Sequence, residues 1–108
     1  MADTPLPGAD CVARLKLLAD PTRLAIVRLL TAGPMAVKEI NAQIGLEPNL
    51  LSHHLKVLRE GGLIASARQG KSVVYCLARG VYDPSRGERI DLGCCSLSFE
   101  TARNAAPG

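Results

Sequence analysis

The chain has 108 residues and a formal net charge of +3 at pH 7. Apolar residues make up 47% of it, and aromatic residues only 3%. This length supports one domain with one modest core and excludes a second folded unit of comparable size. A core built from Leu, Ile, Val and Ala favours short packed helices over a sandwich of strands. The mildly basic charge is compatible with a nucleic-acid partner.

The sequence shows no membrane or export signal. No apolar run approaches the ~18 residues that a membrane-spanning helix needs, and the first residues lack the basic and apolar pattern of a signal peptide. We therefore expect a cytoplasmic protein without a membrane partner. Its four cysteines should then be thiols, which favours metal binding or redox sensing over a disulfide framework.

The first third of the sequence predicts two helices after a loose leader at residues 1–9. Asp10 can cap the first helix, in which apolar residues recur at helical spacing. Asp20 and Pro21 predict the start of a second helix, because Pro is favoured at the first helical position behind a capping residue. This second helix is apolar almost all round and is the predicted centre of the core.

Two further short helices predict a helix-turn-helix. The third helix is predicted at residues 36–44, ahead of Gly45, which suits a helix C-terminus. Pro48 opens the fourth helix, whose leucines recur at three- and four-residue intervals, and Gly61 marks its end. Two short helices joined by a tight turn, the second basic on its outer face, are typical of this motif.

The hydrophobic period then changes from that of a helix to that of a strand. Residues 63–68 and 72–78 predict a hairpin around Gly70 with a basic tip. The predicted fold is therefore mainly α with a β-hairpin wing (α+β), a winged helix-turn-helix domain at residues 10–79. A core of this size gains stability by association, so we expect a homodimer.

Residues 80–108 form a predicted C-terminal tail that carries two adjacent cysteines, Cys94 and Cys95. The apolar residues in this tail alternate with polar ones, which favours a single added strand at residues 89–100. Gly93 precedes the cysteine pair and allows the backbone to bend there.

Three stretches of the sequence resemble the ArsR/SmtB family of winged-helix repressors. They are LADPTRL at 18–24, SHHLKVLREGGLI at 52–64 and RQGKSVVYCL at 68–77, in the order and spacing of that family. The resemblance implies a homodimeric transcriptional repressor, not an enzyme, that binds palindromic double-stranded operator DNA and is released by a small ligand.

The fourth helix and the wing supply the candidate DNA contacts. Asn49 and Ser52 can hydrogen-bond to base edges, and the basic side chains of the same helix can reach phosphates. His53 is a better DNA candidate than His54, which we expect to be packed and half-buried. The full set of candidates is Asn49, Ser52, His53, Lys56, Arg59, Arg68 and Lys71. An ordinary solvated helix face remains the alternative for Lys56 and Arg59.

The cysteines are the candidate sensing residues. The family's Cys-x-Cys site would fall at residues 37–40, which hold no cysteine, and its C-terminal histidine site is absent because the only histidines lie at 53 and 54. The candidate ligands are therefore Cys76, Cys94 and Cys95, with a core-filling role favoured for Cys11 over that of a third ligand. Thiolates prefer soft acceptors.

A trivalent arsenical is the favoured inducer, and no obligatory cofactor is expected. Arsenite requires three thiolates and methylarsenite two. The wing-strand cysteine with a tail Cys-Cys pair resembles ArsR relatives that respond to methylated trivalent arsenicals. The alternatives are a redox or reactive-sulfur switch between Cys76 and a tail cysteine, a Cd(II), Pb(II) or Hg(II) sensor, and a winged-helix module that binds protein. No nucleophile, base and carboxylate set indicates an enzyme.

Overall fold

The computed structural model describes residues 9–99. Its helices are α1 (Ala9–Leu18), α2 (Pro21–Leu30), α3 (Val37–Ile44) and α4 (Pro48–Glu60). Its strands are β1 (Met35–Ala36), β2 (Ile64–Gln69), β3 (Ser72–Leu77), β4 (Arg89–Asp91) and β5 (Ser96–Ser98), with a short 3-10 helix at Pro84–Arg86. None of these helices combines the length and apolar character needed to cross a membrane. The predicted leader lies outside the described residues except for Ala9, which opens α1.

The helix boundaries follow local signals in the sequence, with one correction. Asp20 caps α2 as predicted, and its carboxylate accepts a hydrogen bond from the backbone N–H of Arg23 at 2.9 Å. Gly45 ends α3 with a φ of 74°, a conformation that glycine adopts without steric cost. Asp10, the predicted cap of α1, instead lies inside the first turn of that helix, because the helix begins one residue earlier.

The core lies between α2, α4 and the sheet. Ile26 and Val27 of α2 are completely buried, which confirms this helix as the centre of the core. Leu51, Leu55 and Leu58 line the inward face of α4, as the helical spacing predicts. The buried apolar residues are Cys11, Leu18, Ile26, Val27, Leu30, Ile40, Leu51, Leu55, Leu58, Leu63, Ile64, Val81, Ile90 and Leu92.

The predicted wing is confirmed, and the structure adds a strand to it. β2 and β3 pair antiparallel around Gly70, with Gln69 opposite Ser72. β1 pairs with the other edge of β3, so the sheet order is β1-β3-β2. A strand of two residues shows no alternation, and for this reason the sequence did not predict β1. Tyr75 and Leu77 of β3 pack against the core.

The prediction of one continuous strand at residues 89–100 is wrong. The segment forms a hairpin instead, in which Ile90 of β4 lies opposite Leu97 of β5. Gly93, with a φ of 99°, allows the chain to reverse between the strands. Apolar and polar residues alternate on both sides of this turn, and for this reason the sequence pattern resembles that of a single strand. Residue 100 lies outside the described residues.

Replacing Asp20 tests the cap of α2. We expect Asp20→Ala to lower the free energy of unfolding by about 1 kcal/mol at neutral pH, and Asp20→Asn to lower it less, because Asn also caps helices. The backbone N–H of Arg23 lowers the pKa of Asp20 below its ordinary value of 3.8. The carboxylate therefore stabilises the fold above the unfolded-state pKa, and this contribution is lost as the pH falls through the folded-state pKa.

Denaturant unfolding of wild type and both variants, from neutral pH down to about pH 2, measures this effect. The curves for wild type and Asp20→Ala should approach each other in acid. A stability difference that stays constant over the whole pH range would contradict a role for the Asp20 charge.

Candidate functional site

The outer face of α4 and the tip of the wing form the first candidate site, which we call the basic face. Its residues point away from the leucines that anchor α4 in the core. All seven candidates are exposed to solvent: Asn49, Ser52, His53, Lys56, Arg59, Arg68 and Lys71. Seven such side chains, four of them cationic, can offer hydrogen bonds to bases and charge to phosphates.

The start of α4 is held by a residue that sequence reasoning missed. The carboxylate of Glu47 accepts hydrogen bonds from the backbone N–H groups of Asn49 and Leu50, at 3.0 and 3.1 Å. An acidic residue directly before a proline at the first helical position was the available signal. With these N–H groups occupied, the side chains of α4 are the donors that remain for DNA at this end of the helix.

The two histidines of α4 differ as expected. His53 is exposed, whereas the side chain of His54 is only 12% exposed and packs against the start of α2. There its Nδ1 lies 3.4 Å from Nη1 of Arg23 and 4.0 Å from the carboxylate of Asp20. His54 therefore joins α4 to α2, and His53 is left free to face a ligand.

Three cysteines form the second candidate site, which we call the thiol cluster. Cys11 of α1 is buried, and Cys94 and Cys95 are exposed in the turn between β4 and β5. The expectation of four free thiols is wrong for this structure, because the sulfur atoms of Cys11 and Cys94 are joined in a disulfide and only Cys76 and Cys95 are free. Sγ of Cys95 lies 3.5 Å from Sγ of Cys11. All three sulfurs lie within 4.8 Å of one another. The cluster thus connects the first helix to the tail.

Cys76 does not belong to the thiol cluster. It lies on β3 opposite Ala65, is half-buried, and is a free thiol. Its side chain lines a cavity of about 250 Å³ together with Leu30 and Tyr82, among others. The predicted proximity of Cys76 to Cys94 is therefore not observed, because the turn that carries Cys94 lies against Cys11 of α1 and a different part of the tail, at Tyr82, lies beside Cys76.

The sequence favours a core-filling role for Cys11. It is indeed buried, but its sulfur contacts both tail cysteines. No local pattern could pair residues 83 positions apart, so only the path of the tail brings them together.

Comparison with known proteins identifies the family. A family model described as a helix-turn-helix domain matches residues 18–67. The HTH-type transcriptional regulator NmtR of Mycobacterium tuberculosis is 39% identical over 84 residues, covering 78% of this chain and 67% of that protein. The biofilm growth-associated repressor of Agrobacterium fabrum is 35% identical, covering 72% of this chain and 71% of that protein.

Solved structures agree with this assignment. HlyU from Vibrio cholerae superposes with a TM-score of 0.67 at 30% identity, covering 71% of this chain and 84% of that chain. A homodimeric winged helix-turn-helix DNA-binding domain from Mycobacterium bovis, described as a possible ArsR-family regulator, superposes with a TM-score of 0.62 at 32% identity, covering 72% and 76% of the two chains. The chain belongs to the ArsR/SmtB-type family of winged helix-turn-helix transcriptional regulators.

This membership identifies a recognition helix in the fold. The members of the family named above are transcriptional regulators and not enzymes, and the shared fold places the recognition helix of this regulator at α4. Membership leaves the signal open, because the thiol cluster draws on residues 11, 94 and 95, which lie outside the stretch matched by the helix-turn-helix model.

Proposed function

We propose that this regulator is a repressor that binds operator DNA as a homodimer and releases it when a trivalent arsenical binds the thiol cluster. One observation carries the proposal: the sulfurs of Cys11, Cys94 and Cys95 lie within 4.8 Å of one another. Thiolates select soft acceptors, and neither histidine nor carboxylate belongs to this cluster among residues 9–99.

The chemistry of arsenite suits three thiols. When all three are reduced, each can displace one hydroxyl group of arsenous acid, forming an As–S bond and releasing one water. The exposed pair Cys94 and Cys95 can capture the arsenical first, and the buried Cys11 can complete the site. Methylarsenite, which has two exchangeable positions, would use two of the three sulfurs. This chemistry requires reduced thiols, and the reducing cytoplasm is the compartment that supplies them.

The same helix that carries Cys11 supports dimerisation. Val12 and Leu15 of α1 are exposed by 51% and 39%, although both are large apolar residues. Burying them against a second copy would remove this apolar surface from water. A ligand that joins α1 to the tail would then act beside the dimer surface. A change in the spacing of the two protomers at that surface alters the distance between their recognition helices.

A redox switch is the second candidate, and the disulfide between Cys11 and Cys94 favours it. In that reaction the two thiols would lose two electrons and two protons to an oxidant such as hydrogen peroxide, which is reduced to water. This switch needs Cys11 and Cys94 only. The arsenite site needs Cys95 as well, and this difference separates the two functions.

Fluorescence anisotropy on fluorescently labelled DNA from the regulator's own upstream promoter tests the proposal. The fully reduced protein is titrated separately with arsenite, methylarsenite, Cd(II) and peroxide, in wild type and in Cys95→Ser. We expect arsenite to release wild type at the lowest concentration, and Cys95→Ser to require at least about tenfold more arsenite.

The other outcomes assign the function differently. Release by peroxide alone, unchanged in Cys95→Ser and reversed by a dithiol, would replace the arsenical with a redox signal. Release by Cd(II) at lower concentrations than by either arsenical would indicate a soft-metal sensor.

A further inference from the structure

We infer that Arg14 is the positioning residue that transmits ligand binding from the thiol cluster to the recognition helix and the wing. The inference rests on the proposed function, because it assigns the route by which the thiol cluster controls DNA binding. It assigns a role to a side chain that touches neither the ligand site nor the basic face.

The guanidinium of Arg14 holds the strand that leads into the cysteine turn. Arg14 lies one helical turn after Cys11, and its Nη1 donates a hydrogen bond to the backbone carbonyl of Leu92 at 3.1 Å. The same nitrogen lies 3.6 Å from the position that a Cβ would occupy at Gly93, the residue directly before Cys94. Any change in spacing between Cys11 and the tail cysteines therefore reaches this hydrogen bond.

The other arm of the guanidinium reaches the end of α4. Nη2 of Arg14 lies 3.8 Å from the position that a Cβ would occupy at Gly62, in the turn between α4 and β2. Gly62 donates a backbone hydrogen bond to the carbonyl of Arg59, a residue of the basic face, at 3.0 Å. The neighbouring residue Leu63 is buried and leads into the wing. One side chain thus donates a hydrogen bond to the tail and lies beside Gly62, at the junction of recognition helix and wing.

A second contact makes this junction sensitive to the position of α1. The side chain of Leu17 occupies the space that a Cβ would fill at Gly61, the C-terminal cap of α4. α1 therefore fits directly against the last turn of the recognition helix. A displacement of α1 is transferred to that turn by packing, because a close-packed contact does not compress freely.

The chemistry of arginine suits this task. A guanidinium offers several N–H donors in a fixed plane, so it can keep two backbone segments in one geometry. Among residues 9–99 no carboxylate forms an ion pair with Arg14, and its recorded hydrogen bond goes to a carbonyl. Its role is therefore to hold backbone and not to neutralise an acid.

The test compares operator affinity with and without arsenite. Arg14→Met keeps the apolar stem and removes the donors. In wild type, arsenite should weaken operator binding, and the ratio of operator affinities without and with arsenite measures this effect. In Arg14→Met this ratio should fall from about 5–150 toward 1, while the arsenite-binding stoichiometry and the operator affinity of the ligand-free protein stay close to wild type. Arg14→Lys should regain part of the ratio, because an ammonium can still donate to the Leu92 carbonyl.

Lys16→Ala is the matched control. It removes one positive charge from an exposed position on the same helix and should leave the ratio unchanged. Coupling between two ligands is reciprocal, so arsenite affinity measured with and without operator must give the same ratios. If Arg14→Met does not fold, as judged by circular dichroism, Arg14→Ala replaces it and Arg14→Lys is compared with it.

The two proposals fail separately. If Arg14→Met keeps the full wild-type ratio, Arg14 does not transmit the signal, and the thiol cluster remains the sensing site. An equal loss of the ratio in Lys16→Ala would also overturn the inference, because charge on α1 would then explain the effect. If wild type binds no arsenite, the proposed function itself fails, and this is seen before any variant is made.

Discussion

In Cys94→Ser, arsenite is expected to lose its effect on the repressor–operator complex, while the reduced, ligand-free protein still binds the operator as tightly as wild type. Cys94 lies in an exposed turn, so replacing its sulfur with oxygen leaves the buried core intact. Its sulfur lies against Cys11, and without it neither a three-thiolate arsenical site nor the disulfide can form. The ratio of operator affinities without and with arsenite should therefore fall from about 5–150 to near 1.

Cys76→Ser is the matched control, because Cys76 is a cysteine outside the thiol cluster. It should retain the wild-type response to arsenite in the same anisotropy titration. Loss of operator binding in Cys94→Ser before any ligand is added would show that the cysteine is structural. Loss of the arsenite response in Cys76→Ser, with a normal response in Cys94→Ser, would return the sensing site to the wing strand.

Removing Lys56 and Lys71 together should weaken operator binding by roughly two orders of magnitude at moderate salt. Both side chains are exposed, one on the recognition helix and one at the wing tip. In a dimer, Lys56→Ala/Lys71→Ala would remove about four phosphate contacts, each of which contributes about 0.9 to the slope of log K against log salt. The slope should therefore become shallower by roughly 3 to 4.

The control is Lys16→Ala/Arg86→Ala, which removes the same formal charge from exposed positions outside the recognition helix and the wing. Anisotropy titrations over a range of salt concentrations measure both slopes. An equal loss of slope in the two double variants would mean that net charge, and not the basic face, determines binding. Unchanged binding in Lys56→Ala/Lys71→Ala would instead make these lysines part of an ordinary solvated surface.

The thiol cluster was predicted from the sequence only in part. Thiols were expected to sense the signal, and Cys94 and Cys95 were assigned to the site from their adjacency and from Gly93 beside them. Cys76 is the predicted partner of this pair, because a cysteine on the outer face of the wing strand can be covered by the tail and because this arrangement resembles that of ArsR relatives. The chain reverses at Gly93 instead, so the pair contacts α1 and Cys11.

Arg14 and Glu47 were not identified from the sequence for a related reason. The partner of Arg14 is a backbone carbonyl 78 residues away, and no side-chain pattern indicates such a contact. The cap formed by Glu47 is local, but Asp, Ser, Asn and Thr are the residues that usually indicate this position, so an acid with a longer side chain did not stand out.

The sequence by itself determined the four helices, the wing and the residues of the basic face. Helix periodicity, capping by Asp20, the glycines that end helices and the alternation of β3 act over a few residues, so they can be read along the chain. Only the tertiary structure decided which cysteines meet and what Arg14 holds. Those contacts depend on the direction of the tail around Gly93, where Arg14 and Cys11 of α1 join the tail to the first helix.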